Sequence, residues 1–351
     1  MKVGFDAKKA MRNHTGIGNY SRRCIDAVRA AGAATQLFYP QKAVLGELWR
    51  NVLQWWDVRR SHIDIYHGLS NELPFGIGWS GVKTVVTIHD LIFLRMPETY
   101  GWTQRQILKL KTRYACRKAD RIVAVSEMTR RDLIRYYNIS PSRIEVVCQS
   151  VSDIYRAPLP AARLRQVARQ YSLPACYILC VGTIQQRKNQ HTLVKALPLL
   201  PPHTHLVLVG REEAAYARQV RHTAEKLKVA SRLHICHGVP SEDLPAFYRL
   251  ATLFACLSRF EGFGIPIAEA LTSGTPVIAA TGSCLEEAGG PHSIYLTPDD
   301  VEGLADSIRA LLSDNRRRQD MAAAGQRYAE RFTDQALGHH LLDIYRQLLD
   351  T

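Results

Sequence analysis

The chain has 351 residues, 46% hydrophobic and 22% charged, which excludes disorder and low complexity and leaves room for two domains with a core each. Lys and Arg total 46 against 32 for Asp and Glu, a formal net charge of +14, but the excess is local. Residues 1–150 hold 24 basic and 12 acidic side chains, whereas 151–351 hold 22 and 20. A basic half joined to a nearly neutral one points to a polyanion, an anionic membrane or an acidic substrate as partner of the first half. No segment reaches the roughly 18 apolar residues that cross a bilayer, and the N-terminus has no apolar signal core, so a cytoplasmic protein is expected. Eight cysteines, at 24, 116, 148, 176, 180, 236, 256 and 284, form no Cys-x-x-Cys pair and sit mostly in apolar runs. They read as reduced core residues.

In chain order, short apolar and β-branched runs alternate with longer helical stretches, the pattern of parallel α/β folding. Strands are expected at 2–6, 64–67, 83–88, 121–125 and 144–148. The second half repeats the pattern at 177–181, 205–209, 233–236, 253–256, 276–279 and 293–296. Continuous apolar runs such as Leu206-Val207-Leu208-Val209 suit strands buried on both faces. Pro158, Pro160 and Pro174 mark a boundary before the strand ending in Val181-Gly182. Domains of 1–160 and 161–351 follow, the last helix being free to pack back on the first domain. Open sheets of this kind bind ligands outside the carboxyl ends of their strands, which favours a small-molecule or nucleotide enzyme.

The most informative run is Phe260-Glu261-Gly262-Phe263-Gly264-Ile265-Pro266-Ile267-Ala268-Glu269. Its glycines permit close backbone approach, and Pro266 suits a first helical turn. A helix starting there offers free N–H groups and partial positive charge to phosphate or sugar oxygens. Glu261 and Glu269 are acceptors placed to hold the hydroxyl pairs of a sugar or ribose. Thr15-Gly16-Ile17-Gly18-Asn19-Tyr20 is an incomplete echo of a dinucleotide fingerprint. It lies some ten residues after its strand and lacks the third glycine, so an NAD reading is rejected.

The stretch from Glu261 to Glu269 resembles the Glu-x7-Glu motif of retaining GT-B glycosyltransferases, most closely glycosyltransferase family 4. Several further runs are similar to that family in the same order. They are the glycine loop at Gly16 and Gly18, Thr87-Ile88-His89-Asp90, Val125-Ser126-Glu127, Val181-Gly182-Thr183-Ile184-Gln185-Gln186-Arg187-Lys188-Asn189, and Gly238-Val239-Pro240 with the helix to Tyr248. The resemblance implies a GT-B fold, two Rossmann-like parallel-sheet domains facing across a cleft, the first binding acceptor and the second the nucleotide sugar. It implies that Arg187 and Lys188 face the donor diphosphate and supply the charge that magnesium supplies elsewhere. His89 would end its apolar strand with the imidazole emerging near the donor sugar. Gly16 and Gly18 would let the backbone close on the diphosphate. Glu261 would bind sugar hydroxyls and Glu269 the ribose, the amides of Phe263, Gly264 and Ile265 would face sugar or phosphate, and Val239 would border the base. Many members carry Arg directly after the loop glycine, where this chain has Thr183, so Arg187 would carry that charge.

No cofactor and no metal are expected. The chain has no Asp-x-Asp, and the pairs His203-x-His205 and His234-x-x-His237 lack a completing carboxylate or thiolate. Arg316-Arg317-Arg318 reads as a solvated turn. The implied reaction moves a hexosyl unit, mannosyl or rhamnosyl-like, from a nucleotide sugar to a growing, lipid-linked surface polysaccharide or lipopolysaccharide. A GDP-linked donor is expected, with UDP-linked sugars as the alternative. Rival readings are a nucleotide-sugar epimerase of the same fold and a non-catalytic polyanion-binding protein. Nothing in the chain resembles a nucleic-acid module.

In the basic half, Arg105, Lys109, Arg113, Arg117 and Arg121 recur every four residues, a basic stripe if 103–119 is helical. Ile107, Leu110, Tyr114 and Ala115 are expected to pack on the sheet. Leu45, Leu48, Val52 and Trp55 also recur at helical spacing, beside Trp49, Trp56, Arg50, Arg59 and Arg60. Tryptophan beside arginine suits a membrane interface. Each cation near an anionic surface is worth about 1 kcal/mol, enough in sum for reversible attachment to the cytoplasmic face of the inner membrane.

Overall fold

The computed structural model describes residues 1–12, 16–40, 49 and 53–350. The chain divides into two compact units, Met1–Ser150 with Phe332–Thr351, and Val151–Arg331. The segment 151–160, assigned above to the first domain, therefore belongs with the second unit. The reason is side-chain packing: the Tyr155 ring meets Tyr248 edge-on at 5.6 Å, and Arg249 donates to the Tyr155 carbonyl.

The first unit is built on a six-stranded parallel sheet in the order β2-β1-β3-β4-β5-β6. These strands are Lys2–Asp6, Ala34–Phe38, Ile65–Gly68, Lys83–Ile88, Arg121–Ala124 and Ile144–Val146. Five of them stand where apolar runs are expected. Ala34–Phe38 was not foreseen, because it is an edge strand whose Thr35 and Gln36 are only half-buried. The C-terminal helix Asp334–Leu349 belongs to this unit and packs on the helix Gly16–Ala30, with Leu337, Leu341 and Tyr345 joining the core around Val3, Phe5 and Cys24. Gly338 makes that approach possible, since a Cβ there would lie 2.4 Å from the Ala27 carbonyl oxygen.

The second unit holds strands β7 to β12, Tyr177–Val181, His205–Val209, Leu233–Cys236, Leu253–Cys256, Val277–Ala280 and Ile294–Leu296, all parallel. The order is β12-β11-β10-β7-β8-β9. Strand succession reverses between β7 and β10, so the loops leaving those two strands flank a topological switch point, where open α/β sheets place their ligands.

Two readings of the basic half are corrected. Arg121 opens β5 and is not part of the helix Trp102–Lys118. On that helix Ile107 and Leu110 do not pack on the sheet: they are 49% and 65% exposed, and the buried face is Thr112, Ala115 and Cys116. Trp55 and Trp56 lie on the helix Gln54–Arg60. Leu45, Leu48, Arg50 and Val52 fall outside the described residues, as does Thr15. Among the described residues no helix is long and apolar enough to cross a membrane.

Candidate active site

In the second unit the two loops at the switch point bring three ionised side chains together. After β7 the chain turns at Gly182, whose φ is +136°, and enters a single 3-10 turn, Gln186–Lys188. After β10 it runs through Ser258 to Gly264. Lys188 Nζ lies 2.7 Å from Glu261 Oε1, and Arg187 Nη1 lies 2.9 Å from Glu261 Oε2. Arg187 Nη1 also donates to the Phe260 carbonyl, and the Arg259 amide donates to the Arg187 carbonyl at 2.9 Å, which stitches the loops together. Bidentate pairing of Arg259 with Asp299 and an Asn189 bond to the Pro298 carbonyl hold the outer side of the pair.

All three ions are nearly enclosed, with 10–16% of each side chain exposed. Burial alone would raise the Glu261 carboxyl, but Lys188 and then Arg187 outweigh it and hold the pKa at about 2. Burial would likewise lower Lys188, and Glu261 raises it above its ordinary value. The cluster is thus fully ionised near neutral pH with two cations on one carboxylate, an excess of one positive charge. Thr183 stands before this turn, its carbonyl accepting from Gln190 Nε2 at 3.0 Å.

The same loop ends in the helix Ile265–Thr272, with Pro266 in its first turn and Gly264 as its N-cap. Gly264 has φ +111°, a backbone state that disfavours a side chain, and a Cβ would meet Leu285 Cδ2 at 3.0 Å. Phe263 is buried beneath the turn. Pro266 has no N–H and the Ile267 amide donates to the Gly264 carbonyl at 2.9 Å, so in this first turn the Ile265 amide is left to face a ligand at the positive end of the dipole. Glu269, one turn on, accepts from the Tyr248 hydroxyl at 2.8 Å. Val239 is half-buried in the loop after β9, next to Gly238 at φ +62°.

The first unit supplies a neutral polar cluster. His89 follows β4, but its ring does not emerge from the fold: it is buried, and both nitrogens are engaged. Nε2 lies 2.9 Å from the Leu69 carbonyl, which can only accept, so the proton sits on Nε2 and Nδ1 accepts from Gln149 Nε2 at 3.3 Å. Burial pushes this imidazole down to about 4, so it is uncharged at neutral pH. The backbone of His89 is fixed as well, by Asn71 Oδ1 on its N–H at 2.7 Å and Thr129 Oγ1 on its carbonyl at 3.2 Å. Ser126 caps the helix that carries Thr129.

Behind His89 runs a chain of contacts that sequence reasoning missed. The Tyr20 ring meets His89 edge-on at 4.7 Å, and the Tyr20 hydroxyl lies 3.3 Å from Thr87 Oγ1. Thr87 bonds His67 Nε2 at 2.8 Å, and His67 Nδ1 bonds the Tyr345 hydroxyl of the C-terminal helix at 2.6 Å. Burial, with His89 nearby, lowers His67 to about 3. A histidine closing the apolar strand before Gly68 was the available signal. Gly16 and Gly18 also differ from expectation: they form the first turn of the helix Gly16–Ala30, not a loop, and a Cβ on Gly16 would meet nothing within 4 Å.

His205 and His234 bond each other across adjacent strands at 2.9 Å, and His237 pairs with Glu212 at 3.1 Å. Among the described residues no three His, Cys, Asp or Glu side chains are grouped to hold a metal ion.

The family profile described as glycosyl transferases group 1 matches residues 173–328, and glycosyltransferase family 4 matches residues 16–153. The chain belongs to glycosyltransferase family 4. O-antigen chain mannosyltransferase B of Escherichia coli is 29% identical over 304 residues, covering 84% of this chain and 77% of that protein. D-inositol 3-phosphate glycosyltransferase of Salinispora tropica is 31% identical over 311 residues, 81% of this chain and 64% of that one. The serotype-specific mannosyltransferase WbdA of E. coli is 26% identical over 298 residues, and the match spans 37% of its length. Among solved structures, HepE of Anabaena in complex with UDP and glucose superposes with a TM-score of 0.77 at 19% identity, covering 99% of this chain and all of that one. Sucrose-phosphate synthase of Thermosynechococcus elongatus gives 0.80 at 20% identity, covering 100% and 99%. These likenesses show the GT-B fold, and the family makes the chain a glycosyltransferase.

Proposed function

We propose that the enzyme is a retaining hexosyltransferase that moves a mannosyl-type unit from a GDP-linked sugar to a lipid-linked surface glycan, without a metal. The observation that carries this reading is the buried Arg187–Lys188–Glu261 cluster beside the N-terminus of the helix Ile265–Thr272. A donor diphosphate develops charge as its bond to the sugar breaks, and fixed cations in an enclosed site stabilise that charge with little reorganisation. Arg187 and Lys188 take this role, while Glu261, held ionised by them, accepts from sugar hydroxyls. Glu269, oriented by Tyr248, accepts from the ribose. No nucleophile is assigned: the departing phosphate oxygen takes the acceptor proton on the face it leaves. His89 is neutral with both nitrogens bonded, so it shapes the first unit's site and does not relay a proton during transfer.

The mannosyl choice leans on the activities of relatives, an O-antigen chain mannosyltransferase among them. The basic first half suits an acceptor presented at an anionic membrane surface. The test incubates the protein in EDTA with GDP-mannose and a polyprenyl-diphosphate oligosaccharide. A product heavier by one hexose, with the anomeric configuration of the donor, is expected. Donor isomerised without acceptor would replace the reading by an epimerase, and an inverted product would remove the retaining mechanism.

A further inference from the structure

The helix Trp102–Lys118 turns apolar residues outward. At about 100° per residue, Leu110 lies about 160° around the axis from buried Thr112, so it points directly away from the core. Ile107 and Leu110, three apart, share that outer face with Tyr114 one turn on. The Tyr114 ring packs on Phe75 at 4.6 Å, and its hydroxyl accepts from the Gly76 amide at 2.8 Å. Phe75 is 43% exposed and adjoins a 3-10 turn whose Trp79, 70% exposed, meets Trp55 edge-on at 5.4 Å. Tyr114, on the helix face of Ile107 and Leu110, packs on Phe75, and the Trp79 ring lies against Gly76, so these residues form an exposed apolar ridge of the first unit. Large exposed apolar side chains in one connected patch are unusual on a surface that meets only water.

The ridge is edged with cations. Lys109, Arg113, Arg117 and Lys118 are exposed on the same helix and make no ion pair among the described residues, while Lys111 pairs with Glu72 at 3.6 Å. Arg60 lies over the Trp56 ring at 4.5 Å. Tryptophan and aliphatic tips ringed by Lys and Arg are complementary to a bilayer with anionic headgroups: the tips enter the acyl boundary and the cations stay at the phosphates. We infer that this ridge is the surface by which the enzyme inserts into an anionic lipid bilayer, with Leu110, Ile107 and Trp79 as the inserted residues. This deepens the reading of a membrane-presented acceptor and replaces attachment by charge alone with insertion.

The test floats the full chain with vesicles of phosphatidylglycerol and phosphatidylcholine, beside vesicles of phosphatidylcholine alone. Binding to the anionic vesicles with a blue shift of tryptophan emission is expected. The double variant Ile107→Ser with Leu110→Ser keeps the charge and exchanges solvent-facing groups only. Its partition onto anionic vesicles should fall at least tenfold, while GDP binding and transfer to a detergent-free, short-chain acceptor stay at the wild-type level. Equal partition of variant and wild type, or no flotation of the wild type, would overturn insertion. So would a wild-type dimer that the variant converts to monomer, which would assign the ridge to a second copy. Loss of transfer to both acceptors in the wild type would instead overturn the proposed reaction, leaving the vesicle result to stand by itself.

Discussion

The two units use the same material, six parallel strands with helices between them, yet the two polar clusters described differ in charge, although the first unit also buries Asp132 against Arg95. The second encloses ions: Glu261 is held at about 2 by Lys188 and Arg187 against its own burial. The first encloses neutral rings: burial lowers His89 to about 4 and His67 to about 3, and each ring nitrogen has a partner. An enclosed excess of positive charge is suited to an anion that develops charge during reaction. A neutral hydrogen-bonded array is suited to shape, with nothing to release or take up at neutral pH. On the proposed reading, the second unit's ions serve the donor and the first unit's neutral array shapes the acceptor site.

The contrast breaks most visibly if the ions are removed. Lys188→Ala should lower kcat by roughly 100-fold or more, as loss of a charge-stabilising donor does, and steady-state kinetics at saturating donor would show it. It also leaves Glu261 with Arg187 as its remaining cation partner among the described residues. A kcat within threefold of wild type would take Lys188 out of the diphosphate site.

In the first unit the corresponding change is Tyr345→Phe, which deprives buried His67 Nδ1 of its partner. An orphaned buried polar group costs about 1–3 kcal/mol, read as a shift of the unfolding transition in urea. The donor affinity of the second unit should not move. A change in GDP affinity with no loss of stability would contradict a purely neutral, positioning role for this network.

A further effect concerns pH. His67 and His89 have folded-state values below the ordinary 6.5, so the unfolded chain binds more protons as pH falls. Their contribution is fully present above pH 6.5 and is lost as pH falls from 6.5 through about 4 and then about 3. Glu261 adds to the loss only below its unfolded value of 4.5, down to about 2. Thermal denaturation should show Tm falling first between pH 6.5 and 5, and His89→Asn should flatten that limb. An unchanged limb in this variant would mean that other groups set the acid sensitivity.

Much of this was legible in the chain. Buried parallel strands are apolar throughout, so eleven of the twelve were expected within a residue or two of their place, whereas the half-polar edge strand Ala34–Phe38 lacked that signal. The loop bearing Glu261 and Glu269 is legible from its glycines and charges, and the loop bearing Arg187 and Lys188 from its resemblance to the family. Their mutual pairing is not, because it depends on strand order bringing β7 beside β10. Nor could periodicity join Tyr345 to His67 across 278 residues. On the helix Trp102–Lys118, Ala115 is buried as expected, whereas Ile107 and Leu110 face outward. Its core side is built from Thr112, Ala115 and Cys116, small residues that close packing favours, and its larger apolar residues were left outside.

The central claim, that the second unit's enclosed cations hold a nucleotide diphosphate unaided by metal, is tested most directly by calorimetric titration of GDP in EDTA. Wild type is compared with Arg187→Ala and with Lys188→Ala. Saturable binding by the wild type, which magnesium does not strengthen, is expected, weakened at least tenfold in each variant. Binding that appears only when magnesium is restored, or that is the same in all three proteins, would contradict that claim.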